Sequence, residues 1–282
     1  MKASTKRKLK SRCPRRLWKA AVNTYYGLMR IKHKFIMQTS GSLPYECPCC
    51  GIKLRSFIEG MDYKEFSDFY DVKLFDGVRQ DVVCPVCSSL PRHRILAKWC
   101  EENKDKLVSS KILYFAPERG MTTWLKANKI RYTTADLFAW DVDLKLDIQA
   151  TNLPDESYDV VICNHVLEHV DDYMTALKEI RRILSPDGIL LCSFPVSPDV
   201  EFIDEDREVV TEEGRLRRYG QSDHLRLFGM KADTLLAEAY YEVSVLDGDT
   251  YPGSILPVTG PCLYDINRLF LCKKTDEIRE NA

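Results

Sequence analysis

Between Lys111 and Lys274 the chain alternates short apolar runs with amphipathic stretches, and nothing else in the sequence narrows the possible folds as much. The runs lie at 111–115, 130–135, 158–163, 188–194, 241–246 and 268–272, each five to seven residues long and rich in β-branched, leucine and aromatic side chains. Strands without an apolar–polar alternation are buried on both faces, as in parallel sheets flanked by helices. Helical periodicity falls on 95–107, 121–128, 172–184 and 231–239. This succession predicts an α/β fold with a mostly parallel, doubly wound sheet, whose ligands sit at the carboxyl ends of the strands. The apolar runs are far too short to cross a bilayer, and no apolar signal segment follows the basic N-terminus. Eleven cysteines, an odd number spread along 282 residues, argue against a disulfide-stapled secreted domain and for a reducing cytoplasm.

Charge divides the chain unevenly. Residues 1–40 hold twelve Lys/Arg and no acid, which leaves 29 basic against 42 acidic side chains in the rest. Beyond a lysine-rich start, Leu17, Trp18, Ala21, Tyr25 and Leu28 recur at helical spacing with Arg15, Arg16 and Lys19 among them. They predict a basic amphipathic helix within 14–37. Such a helix suits this protein's own acidic body, an anionic membrane surface, or nucleic-acid phosphates. The Ser/Gly-containing run at 39–44 reads as a linker. The expected organisation is therefore a basic arm (1–44), a cysteine-bearing unit (45–95) and an α/β domain (96–282).

The cysteine-bearing unit has its own chemistry. Cys47-Pro-Cys-Cys50 and Cys84-Pro-Val-Cys87 are two Cys-x-x-Cys turns separated by 33 residues. Two such knuckles supply four thiolates, the ligand set of a closed structural Zn²⁺ site, here Cys47, Cys50, Cys84 and Cys87. Cys49 lies inside the first turn and is read as a spare thiol. Four thiolates leave the ion no open position, so its role is structural.

In the α/β domain, the first strand leads into Ala116-Pro117-Glu118-Arg119-Gly120, the place where such a fold receives a nucleotide-like ligand. The glycines of a dinucleotide fingerprint are nearly absent. Asp136 ends the next strand, where a carboxylate accepts ribose hydroxyls.

The stretch DIQATNLPDESYDVVICNHVLEHVDD, followed by ALKEIRRILSPDGILLCSFP, resembles class I S-adenosylmethionine-dependent methyltransferases. With CPCCG, CPVCSSLPRHR, YFAPERG and YGQSDHLRLFG, it resembles more narrowly a bacterial group in which a zinc ribbon precedes that domain and Ala-Pro-Glu replaces the glycine-rich first motif. The resemblance implies a Rossmann-like, seven-stranded sheet. It places Ala116, Pro117, Glu118 and Gly120 at the methionine moiety of S-adenosylmethionine, Asp136 and Leu137 at the ribose, and Asp147 and Ile148 at the adenine. Asn164 and His165 then line the cavity near the sulfonium. Because Pro117 has no N–H to offer, Glu118 is expected to compensate by pairing with the cofactor's ammonium.

Methyl transfer to oxygen draws on a base, and histidine suits neutral pH. His224, beside Asp223, is the first candidate and His165 another, while Glu168 and His169 read as a brace at the start of a helix. Arg207, Arg215, Arg217 and Arg218, in the charged segment 195–220, suit either an anionic acceptor or a solvated loop. The expected function is methylation of a hydroxyl on a small molecule or glycan precursor, in the cytoplasm or at the inner membrane face. The alternative is RNA methylation, with ribbon and arm on the phosphates. Against it stand the acidic body and the absence of a dense Lys/Arg patch with interleaved aromatics in the ribbon.

Overall fold

The computed structural model describes residues 43–58, 82–256 and 268–275 and the single positions Thr24, Leu28 and Ile31. The arm helix expected at 14–37 otherwise lies outside the described residues; those three positions are helical and exposed. No helix among the described residues is long and apolar enough to cross a membrane.

Among the described residues from 43 onward, a hairpin of β1 (Tyr45–Cys47) and β2 (Ile52–Leu54) comes first, and α1 (Pro91–Glu102) and α2 (Lys104–Ser109) follow in the α/β body. Then follow β3 (Ile112–Phe115), α3 (Arg119–Ala127), β4 (Thr133–Asp136), β5 (Leu144–Lys145), β6 (Tyr158–Asn164), α4 (Tyr173–Ile183) and β7 (Leu184–Ser193). A smaller unit holds β8 (Val196–Ser197), β9 (Ile203–Glu205), α5 (Glu212–Tyr219) and β10 (Arg226–Gly229). The body closes with α6 (Ala232–Glu238), β11 (Tyr241–Asp247) and β12 (Arg268–Lys274).

Seven strands form one sheet in the order β11-β12-β7-β6-β3-β4-β5. Pairing is parallel from β5 to β7, and β12 runs antiparallel to both its neighbours. The mostly parallel α/β sheet is as expected. The two-residue edge strand β5 is too short for periodicity to show.

Side-chain alternation along each strand builds two cores. Leu113, Phe115, Val161, Cys163, Leu190 and Cys192 pack with Ala176, Leu177 and Ile180 of α4 and Leu235 and Leu236 of α6. On the opposite face, Ile112, Tyr114, Val160, Ile162, Ile189 and Leu191 pack with Ile95 and Leu96 of α1 and with Met121, Trp124 and Leu125 of α3. This second core continues without a break into Leu54, Phe57, Val86 and the four knuckle cysteines. The described part of the cysteine-bearing unit, expected to be a ribbon, is thus one side of the body's own core, and burial of these apolar groups holds it there.

Two features fix that docking. Arg94 is fully buried under the ribbon, where its guanidinium donates to the carbonyls of Val82, Ser89 and Ile255 and stacks over the Phe57 ring at 4.1 Å. Gly120, at the start of α3, faces Ser89 and His93 so closely that a Cβ there would lie 2.9 Å from His93 Nδ1 and from Ser89 Cα and Cβ. Ser89 Cα is backbone and carries its Cβ rigidly, so neither can swing away. Gly120→Ala is therefore expected to destabilise the fold by about 1–3 kcal/mol through overpacking, read as a lowered denaturant midpoint with unchanged slope.

Candidate active site

The site forms where three parallel strands end side by side. In register, Phe115 pairs with Ala135 on β4 and with Cys163 on β6, so Ala116, Asp136 and Asn164 follow at one edge of the sheet. Two of the turns leaving this edge are strained. Ala116 and His165 adopt left-handed conformations, with φ of 45° and 51°, where an L side chain is disfavoured. Each is held by its own amide: Ala116 N donates to Ala135 O at 2.8 Å and His165 N to Ser193 O at 2.7 Å. Both reversals turn the chain around one cavity of about 620 Å³.

Ala116, Asp136, Leu137, Asp147, Ile148, His165 and Asp223, all singled out from the sequence, line this cavity. Asp136 Oδ1 accepts from the amides of Phe138 and Ala139, both at 2.7 Å, which shapes the loop after β4 and fixes the carboxylate. Asp147 Oδ1 accepts from Gln149 N at 2.8 Å in the same way, below the apolar Ile148. The walls also include Arg215, one of the arginines read from the sequence for an acceptor, His169, read there as a brace, and Phe138, Leu146 and Val166, which the sequence did not reveal because only the folded loops bring them together.

Pro117, Glu118, Gly120, Asn164 and His224 do not line the cavity. Asn164 is buried, its Oδ1 accepting from Ser193 Oγ at 3.1 Å. Glu118 departs from expectation most clearly. Its carboxylate already has two partners, Arg92 Nη2 at 2.7 Å and His93 Nε2 at 2.6 Å, the latter ring accepting at Nδ1 from Leu90 N. Burial pushes the Glu118 carboxyl up, but the Arg92 guanidinium and the hydrogen bonds from Arg92 and His93 outweigh it and hold the group well below the usual carboxylate range. Both partners stand in the first turn of α1, directly after the second cysteine knuckle. Glu118 and Gly120 therefore tie the loop to the ribbon, a role that distant residues decide and local sequence does not display.

His224 is 1% exposed, and burial lowers it below the ordinary histidine range. Its Nδ1 lies 3.2 Å from Tyr219 O. A ring walled off in this way cannot touch an acceptor in the cavity, so the reading of His224 as base does not fit the geometry. Asp223, by contrast, is exposed at the rim. His165 and His169 do reach the cavity. Behind them Glu168 is 1% exposed, with His165 Nδ1 at 3.2 Å and His169 Nε2 at 4.0 Å from Oε1. Burial raises the Glu168 carboxyl, and the surrounding imidazoles more than offset this, bringing it down to about 2.

The segment from β8 to β10 forms the roof. Strand β10 lies between β8 and β9 in a small separate sheet, whose two- to four-residue strands left no periodicity in the sequence. Arg226, buried on β10, joins it to the site. The side chain pairs with Glu205 and donates to the carbonyls of Leu167, Val170 and Asp171. Arg217 pairs with Glu213, and Arg218 with Asp204 and Asp206, so these two brace the roof. The cavity wall carries Asp136, Asp147, Asp171, Glu212 and Asp223 against Arg215 as the only arginine or lysine among its described lining residues. Such a wall favours a cation over an anionic acceptor.

The ribbon holds the second candidate centre. Sγ of Cys47 lies 3.6 Å from that of Cys87, and Sγ of Cys50 lies 3.8 Å from that of Cys84. A tetrahedral ion with Zn–S bonds of about 2.3 Å sets its sulfurs about 3.8 Å apart. The four residues fit such an ion, and all four sulfurs cluster within 4.8 Å. Both knuckles turn alike: Gly51 and Ser88, each with positive φ, donate their amides to Cys47 O and Cys84 O at 2.8 Å. Cys49 points elsewhere, its thiol donating to His93 O at 3.4 Å.

Residues 110–192, which carry Ala116, Asp136, Asp147 and His165, match the family described as "Methyltransferase domain". Among curated relatives, the ubiquinone biosynthesis O-methyltransferase of Haemophilus ducreyi is 41% identical over 51 residues, 18% of this chain and 21% of that protein. The demethylmenaquinone methyltransferase of Staphylococcus haemolyticus is 47% identical over 45 residues, 15% of this chain and 19% of that protein. The chain thus spans about a fifth of the length of these relatives. Among solved structures, the 1,6-didemethyltoxoflavin-N1-methyltransferase of Burkholderia thailandensis, solved with 1,6-didemethyltoxoflavin and S-adenosylhomocysteine, is similar over 66% of this chain and 77% of that one, at 17% identity and a TM-score of 0.43. Residues 110–192 therefore match a methyltransferase domain over less than a third of the chain, and their strands belong to the mostly parallel sheet of seven.

Proposed function

We propose that the protein transfers the methyl group of S-adenosylmethionine to an oxygen of a small-molecule or glycan acceptor in the cavity between the strand ends and the β8–β10 roof. One observation carries this reading. Asp136 and Asp147 stand one strand-loop apart on the wall of the same cavity as the strained turns at Ala116 and His165, inside the segment that matches the methyltransferase domain. Asp136, with Leu137, would hold the ribose, Asp147 and Ile148 the adenine, and the turn at Ala116 the methionine end. The acidic wall suits a sulfonium cation, which itself supplies most of the activation for methyl transfer. The chain's part is to bind and align the donor and acceptor, with His165, one residue past β6, a polar group facing the cavity.

The same fold would carry a structural Zn²⁺ on Cys47, Cys50, Cys84 and Cys87, which binds the ribbon to the body without taking part in transfer. One relative is named for ubiquinone biosynthesis and the other for demethylmenaquinone, which supports a small-molecule acceptor for this chain. To test the reading, the full chain is incubated with methyl-labelled donor and fractionated cell extract. Label is expected in the small-molecule or glycan fraction; label confined to RNA, or none in any fraction, would overturn it. Vesicles of anionic lipid, sedimented with the full chain and with residues 1–40 removed, test whether the basic arm adds membrane binding.

A further inference from the structure

Three histidines surround the buried Glu168 carboxylate behind the cavity wall, and the partners of their Nδ1 atoms sort them. His224 is sealed off, with Nδ1 3.2 Å from Tyr219 O, and does not line the cavity. His169 does line it, but its Nδ1 lies 3.1 Å from Asp223 O. A carbonyl only accepts, so that nitrogen carries the hydrogen. The lone pair of the neutral ring is then at Nε2, the atom 4.0 Å from Glu168 Oε1. Neither ring has a lone pair to offer an acceptor in the cavity.

His165 is turned the opposite way. Its Nδ1 lies 3.2 Å from Glu168 Oε1. Burial raises that carboxyl, but His165, with His224 and His169 beyond it, more than offsets this and brings it to about 2. An ionised carboxylate only accepts, so the hydrogen of the neutral His165 ring belongs on Nδ1 and the lone pair on Nε2. Nε2 is on the far edge of a ring that lines the cavity, and no described group occupies it. The backbone fixes this pose. His165 stands one residue past β6 with φ of 51°, held by its amide on Ser193 O, and Leu225 N donates to Glu168 O at 2.9 Å from the roof side. A left-handed turn at a residue other than glycine persists only where its surroundings over-determine it, and such turns cluster at active sites.

We infer that His165 is the general base of the transfer and Glu168 the positioning residue that sets its tautomer, roles that rest on the proposed function. As the acceptor oxygen bonds to the methyl carbon, the carbon–sulfur bond breaks with its electron pair left on sulfur, and the hydroxyl proton passes to His165 Nε2. The imidazolium so formed is stabilised by the Glu168 carboxylate behind it and returns its proton to water once the methylated product has left. The acceptor is thus a hydroxyl compound whose reacting oxygen sits beside His165, at the strand-end side of the cavity.

The test is transfer of label from methyl-labelled S-adenosylmethionine to the extract fraction that the unmodified full chain labels. Titration with S-adenosylhomocysteine and thermal unfolding accompany each variant. Asparagine tolerates a positive φ, so His165→Asn keeps the turn. Its transfer rate is expected to fall about 100- to 10,000-fold while the nucleoside still binds. Added imidazole is expected to restore transfer in His165→Gly, which a merely structural ring would not allow. Glu168→Gln can donate to Nδ1 and so favours the wrong tautomer; a loss of at least about tenfold is expected, partly regained in Glu168→Asp. Nitrogen-15 NMR of the unliganded chain is expected to show the neutral His165 ring with its hydrogen on Nδ1, and on Nε2 in Glu168→Gln. Transfer that persists in His165→Asn, or a hydrogen on Nε2 in the unmodified chain, would overturn the base and leave the proposed function standing. No transfer by the unmodified chain would remove both.

Discussion

Replacing Asp136 by alanine is expected to weaken binding of S-adenosylhomocysteine about 30- to 1,000-fold. Two hydrogen bonds from ribose hydroxyls to a carboxylate are together worth ~2–4 kcal/mol in a partly enclosed site. The carboxylate is held ready for them, since the Phe138 and Ala139 amides engage Oδ1 and leave Oδ2 to the ligand. The same bonds mean that alanine also loosens the loop after β4. Asp136→Asn separates the two effects: it retains an oxygen for the amides but loses the charge, and an intermediate loss of affinity is expected. Calorimetric titration measures both, with thermal unfolding as the control. Unchanged affinity in Asp136→Ala would remove the donor from this cavity.

Replacing Cys84 by serine is expected to lower stability by at least about 3 kcal/mol, because structural zinc contributes to folding far more than any single packing contact. For a chain of this size that corresponds to a fall in Tm of roughly 6–12 °C. The effect should spread beyond the ribbon. The knuckle cysteines share a continuous core with α1, α3 and the sheet, and the first turn of α1 carries the Arg92 and His93 partners of Glu118. Nucleoside affinity is therefore expected to fall with metal content as the turn at Ala116 loses its backing. The measurement is elemental analysis alongside thermal unfolding and nucleoside titration. A Cys84→Ser chain that keeps its zinc and its Tm would show that the thiolates hold no ion.

Much of this architecture was legible in the residues themselves. The core strands are buried on both faces, so unbroken apolar runs mark them, and six of the seven strands of the main sheet lie where those runs predict. Asp136 was legible as a cavity residue because a carboxylate at a strand end is positioned by local backbone, whereas Asp147, beyond an edge strand the sequence does not show, came only from the resemblance. The cysteine pairs were legible because a knuckle is a turn of four residues, closed by the amides of Gly51 and Ser88 on Cys47 and Cys84.

What the residues could not show was which side chain meets which across the chain. Glu118 reads as a cofactor contact until Arg92 and His93, 25 and more residues earlier, are seen on it. His224 reads as a base until the roof buries it against Tyr219, and Arg217 and Arg218 read as acceptor contacts until their acidic neighbours take them. Periodicity and turn chemistry act over a few residues and are written into local sequence. Charge pairing and burial depend on contacts between segments far apart in the chain, and only the assembled fold decides them.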